Sequence, residues 1–180
     1  MKKTLLAAAF MAASVILFAQ KKTTTSAIIS FDATTSIDNL PKAENKTVVA
    51  ALDTKTGTVQ FEATIKNFSF SNPRMQEHFN NKTWMDSDQF PTATFNGKIT
   101  NLSAVNFSKD GTYNAKVEGD LTLHGVTKKI AAAATIVVAS GKIDAKTDFS
   151  INLDDYNISA GPITQGKVSK EPKISVSATF

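Results

Sequence analysis

The chain has 180 residues, no cysteine, two histidines, and 20 basic against 16 acidic side chains. That length suits one domain with one sizeable core, and the lack of cysteine excludes disulfides and thiolate chemistry, so packing alone must hold the fold. The formal charge of +4 includes Lys2 and Lys3; no basic run is interleaved with aromatics, so composition gives no case for a nucleic-acid partner.

The chain opens on "MKKTLLAAAFMAASVILFAQ", a basic start followed by an apolar run and Ala19. This layout predicts a secretory signal peptide over 1–19, too short to span a membrane comfortably. The rest, 20–180, is then an exported domain, periplasmic or secreted. No cysteine is present to carry a lipid anchor.

Beyond the leader, period-two alternation predicts strands. Less regular candidates lie at 27–34 and 47–52. In "GTVQFEATIK" the residues Val59, Phe61, Ala63 and Ile65 share one face, opposite Gln60, Glu62, Thr64 and Lys66. The next stretch, "MQEHFNNKTWMDSDQFP", breaks the alternation and holds Trp84, the one tryptophan. Pro73 followed by "RMQEHF" predicts a short helix, with a cap over roughly 73–86. A strand at 92–102 carries Phe95. In 112–123 the apolar row is Tyr113, Ala115, Val117, Gly119, Leu121 and Leu123. The run 126–139 contains "AAAATIVVA", apolar on both faces, which suggests a covered edge or a homodimer contact. Ile143, Ala145, Phe149 and Ile151 form the next row, and "PKISVSATF" ends the chain in the same manner. About eight strands with short turns such as Ser140–Gly141 favour antiparallel pairing, and open edges favour closure or stacking.

Chemical motifs are weak. "GPITQGKV" nearly spells a phosphate loop, but Val168 stands where a metal-ligating hydroxyl belongs and no helix pattern follows. No G-x-S-x-G elbow occurs. His78 with Glu77, Asp86 and Asp88, or with His124, could supply metal ligands, yet zinc sites draw on more His or Cys at tighter spacing. Ligand counting therefore predicts neither a metal nor a resident cofactor, and no catalytic group is assigned.

Three stretches resemble the signatures of the YceI-like family, exported lipocalin-like proteins associated with polyisoprenoid binding. The first comprises His78, Phe79, Trp84, Asp86, Phe90 and Pro91, with Met85 where a second aromatic is usual. The second is "GDLTLHGVTKK" at 119–129, and the third "TDFSINLDDYNIS" at 147–159. Arg74-Met75-Gln76-Glu77 replaces an Arg-Asp pair common before the histidine, and the N-terminal strand lacks an expected aromatic-x-apolar-x-His pattern.

The resemblance implies an all-β, antiparallel, lipocalin-like barrel of about eight strands with a short capping helix near 73–86. Its implied role is to bind or transport a lipid or polyisoprenoid chain in an apolar cavity, without catalysis. Ligand would meet Phe61, Ala63, Phe79, Trp84, Phe95, Tyr113, Ala115, Val117, Leu121, Phe149 and Ile151. Phe79, Trp84 and Phe90 would plug a lid, with His78 and Asp86 as its polar residues. Small inward residues leave room for such a cavity; a dry core filled by facing Phe residues is the alternative. Two other functions fit the alternation: a small outer-membrane β-barrel, which one Trp and two Tyr supply poorly with aromatic girdles, and a lipid-acting enzyme.

Overall fold

The computed structural model describes residues 21–180; the expected leader lies outside them. Among the described residues nine strands occur: β1 (Lys21–Asp32), β2 (Lys42–Asp53), β3 (Thr58–Thr64), β4 (Ser69–Phe70), β5 (Thr92–Ile99), β6 (Gly111–Leu123), β7 (Val126–Ala139), β8 (Lys142–Ser150) and β9 (Lys173–Thr179). The two-residue β4 is only an appendage to β2. The other eight run in the order β1-β9-β8-β7-β6-β5-β3-β2, and antiparallel pairing of β2 with β1 closes the ring. The chain is thus an eight-stranded antiparallel barrel, in which every one of these strands has a neighbour on both sides.

Local sequence accounts for the tight turns. Two-residue hairpins match the strand twist in the mirror-image turn types, one of which needs positive φ at both turn residues. His124 and Gly125 have it between β6 and β7, at 51° and 74°, and Ser140 and Gly141 have it between β7 and β8, at 50° and 79°. Along each strand the apolar row turns inward. On β6, Ala115 is buried while Asn114 and Lys116 are exposed, and the pattern repeats on its neighbours.

The cap is helix α1 (Pro73–Asn80) and the turns after it. Asn72 accepts a hydrogen bond from the Arg74 amide (2.9 Å), and Pro73 occupies the first turn, where no donor is needed. Gln76 ties the helix down: its Oε1 accepts from the Phe70 amide and its Nε2 donates to the Lys66 carbonyl. Only Phe79 of this helix is fully buried.

Two hydrophobic clusters occupy the two ends of the barrel. The larger gathers Phe68, Phe79, Met85, Ile151, Leu153 and Ile158 under the cap. The smaller packs Leu52, Ile99, Val105, Ala115, Ile136, Val138 and Ile143 at the opposite end.

The structure corrects several expectations. β1 and β2 are longer than 27–34 and 47–52, extending into polar sequence; register shifts between Thr24 and Ile29 break the alternation there. β8 ends at Ser150, and the chain then turns into a 3-10 helix (Leu153–Tyr156). β7 pairs with β6 along nearly its whole length, but with β8 only from Ala134 to Ala139, so the expected edge is confined to residues 126–133 on the β8 side. The near-phosphate loop contains one helical turn, α2 (Gly161–Thr164), with Ile163 buried.

Candidate functional site

Between the two clusters the inward rows enclose a cavity of about 210 Å³. Phe61 and Ala63 on β3 and Phe95 on β5 line it. So do Val117 and Leu121 on β6, Ile130, Ala132 and Ala134 on β7, and Phe149 on β8. Lys146 and Thr147 are the only lining residues with a charged or hydroxyl side chain. Apolar cavities of even roughly 150 Å³ stay dry and accept hydrocarbon guests, because water inside would lack hydrogen-bond partners.

Space for the cavity comes partly from a glycine pair. Gly97 and Gly119 face each other across β5 and β6. A β-carbon added at either would lie 2.5–2.7 Å from Phe95 Cζ, so the Phe95 ring lies against the wall over both glycines. Two side-chain-free positions thereby let a large aromatic lie down, not stand in the lumen.

The expected site residues fall into three groups. Phe61, Ala63, Phe79, Trp84, Phe95, Val117, Leu121, Phe149 and Ile151 line the cavity. Tyr113 and Ala115 do not: Ala115 is buried in the far cluster, and Tyr113 packs against it with its hydroxyl donating to the Lys109 carbonyl at 2.8 Å. Alternation identifies the face of a strand but not the depth along the barrel. His78 is exposed. Asp86 shapes the turn through its backbone, at φ 42°: its amide donates to Asn81 O and its carbonyl accepts from Gln89 and Phe90. Aspartate tolerates that left-handed geometry better than most residues.

The lid is an aromatic stack. Phe79 lies 5.5 Å from Phe31 in a stacked pair, 5.0 Å from Phe70 and 5.9 Å from Phe68. Pairs of this kind each contribute about 0.5–1.5 kcal/mol beyond burial. Phe31 and Phe68 escaped the sequence reading, since neither lies in a regular alternating run.

Charged chemistry stays outside. The hydroxyl of Ser175 beside Asp148 holds that carboxyl below its usual range, with Lys173 assisting. The Lys66 ammonium does the same for Asp88. Neither Asp lines the cavity. Burial raises the Tyr156 phenol, and the charge of Asp155 adds to this. Among the described residues no three His, Asp or Glu side chains converge as metal ligands would.

A family model described as the YceI-like domain matches residues 11–180. Among curated proteins, a UPF0312 protein of Pseudomonas fluorescens is 38% identical over 61 residues, which is 34% of this chain and 30% of that protein. The match therefore spans under a third of that relative. A polyisoprenoid binding domain from Saccharophagus degradans, implicated in plant cell wall breakdown, superposes with a TM-score of 0.74 at 13% identity, covering 89% of this chain and 97% of that one. BcnA of Burkholderia cenocepacia gives 0.70 at 16% identity, over 86% and 96%. At such identities the likeness shows the fold.

Proposed function

Because the chain belongs to the family of YceI-like domains, we propose that it binds a long apolar molecule, a polyisoprenoid or another lipid chain, inside the barrel and performs no chemistry on it. The observation that carries this reading is the lumen itself, a cavity lined almost wholly by apolar side chains. The description of the Saccharophagus degradans neighbour as a polyisoprenoid binding domain supports the same ligand class. The leader-like start supports export to the periplasm or beyond.

An outer-membrane barrel would carry its apolar band outward. Here Asn114, Lys116, Glu118 and Asp120 of β6 are exposed on the outer face, opposite the apolar row. A lipid-acting enzyme would place an acid, base or nucleophile against its substrate. The lining's one hydroxyl, that of Thr147, donates to a backbone carbonyl, and its one amine belongs to Lys146, which is exposed on the outward row of β8.

A fluorescent polyene chain tests the reading. Its emission should rise saturably at one molecule per protein, and a prenol should displace it. Emission that rises without saturation, or that a prenol leaves unchanged, overturns the proposal.

A further inference from the structure

The barrel wall is incomplete at one place. β7 and β8 pair from Ala139↔Lys142 down to Ala134↔Thr147, and there the register stops. Both strands continue: residues 126–133 go on pairing with β6, and residues 148–150 with β9. Between them no pair is formed. The gap has defined limits. At one end the Thr147 hydroxyl donates to the Ala133 carbonyl at 2.7 Å, satisfying the first acceptor that the ladder leaves free. At the other, His124 at the β6–β7 hairpin holds the Tyr156 carbonyl of the 3-10 helix after β8 at 3.0 Å. The residues along the gap (Lys129, Ala131, Asp148 and Ser150) are exposed, so nothing covers it from outside.

A comparable interruption between β2 and β3 shows what a sealed seam looks like. There the register covers only Val49 to Leu52. The buried side chain of Asn45 reaches across to the Thr64 carbonyl at 3.0 Å, and Asn67 bonds to Thr47. Across the gap between β7 and β8 the side-chain hydrogen bonds among the described residues are those at its two limits, from Thr147 and from His124, with none between them.

We propose that this gap is a lateral portal, through which an amphiphilic chain enters tail first and at which its polar end stays. The proposal rests on the binding function above. Both barrel ends are filled by buried side chains, the aromatic lid at one and the Ile99–Val138–Ile143 cluster at the other. A polar head buried in an apolar lumen without partners would cost several kcal/mol, so it must reach water or a polar group. Thr147 lines the lumen where the ladder stops, and the neighbouring Lys146, exposed on the outward row, borders it there. Thr147 retains acceptor capacity after its one donation. Lys146 is exposed and forms no ion pair among the described residues, which leaves an ammonium free to meet an acidic head.

The probe is a hexadecyl chain with a nitroxide at its polar end, titrated below its micelle concentration and followed by amide NMR. The amides of Ala131, Ala133, Thr147 and Asp148 should broaden first, while those of Phe79 and Trp84 persist. Broadening centred on the lid, or on Leu102 and Val105 at the far end, overturns the portal while leaving the binding function intact. Absence of saturable binding overturns both. In a second measurement, Lys146→Glu should weaken a hexadecyl carboxylate several-fold at low salt and strengthen a hexadecyl trimethylammonium probe. Equal effects on both, or none, contradict the placement of the head.

Discussion

His124 donates from Nδ1 to the main-chain carbonyl of Tyr156 across 3.0 Å, since a carbonyl can only accept. The same ring meets Phe90 edge-on at a centroid distance of 4.5 Å. Phe90, His124 and Tyr156 come from three separate signature stretches of the sequence, so those stretches meet at one rim of the barrel. The adjoining Gly125 could not carry a side chain without meeting Phe90 Cε1 at 2.6 Å, and its φ of 74° disfavours one in any case.

Replacing His124 with Ala removes the donor and leaves a carbonyl poorly paired, at a cost of about 1–3 kcal/mol. His124→Asn, which tolerates the positive φ and keeps an amide donor, should recover part of the loss. Urea midpoints decide this. Wild-type stability in the alanine variant would mean that the rim is held by other contacts.

Gly119→Ala probes the wall. The added methyl would lie 2.5 Å from Asn96 O and Gly97 Cα and 2.7 Å from Phe95 Cζ. The strands must part or Phe95 must swing inward, and overpacking of this kind costs about 1–3 kcal/mol. Weaker binding of an apolar probe should accompany the lower midpoint. A variant that binds and unfolds like wild type would show that Phe95 does not lie as described.

Paired tryptophan substitutions separate cavity from core. Ala132 lines the lumen, whereas Ala115 is 2% exposed in the far cluster. Ala132→Trp should keep a midpoint close to wild type and lose probe binding. Ala115→Trp should unfold about 1–3 kcal/mol earlier and, where folded, still bind. The reverse pattern would place the empty space at the wrong depth.

That contrast also shows how far the sequence could be read. Alternation put Phe61, Ala63 and Val117 on the apolar rows, and the breaks at Pro73 and at Ser140–Gly141 marked the cap and a hairpin. Depth was invisible, so Ala115 and Val117 looked equivalent although one is core and the other lining. The gap between β7 and β8 left no trace either. Residues 126–133 read as strand as well as 134–139 do, and only the departure of β8 toward the 3-10 helix separates the strands. Asn45, which closes the other seam, sits where a register shift displaces it inward.

Alkaline pH gives a further check through Tyr156. Burial, then the charge of Asp155, raises its phenol above the ordinary value near 10. A raised folded-state value favours the neutral form, so the linked stability is fully present below about pH 10 and lost as pH rises through the folded value. Urea midpoints of the wild type should therefore fall more steeply than those of Tyr156→Phe above about pH 10. Parallel declines would mean that Tyr156 ionises without penalty.

The most direct test of a lipid-filled barrel is native mass spectrometry of the protein purified from its own host, with organic extraction of whatever it carries. The account predicts a one-to-one complex with an extractable long-chain hydrocarbon or isoprenoid, absent from Ala132→Trp prepared in the same way. A wild-type protein that flies only at its bare polypeptide mass, and still does so after incubation with prenols and long-chain lipids, would contradict it.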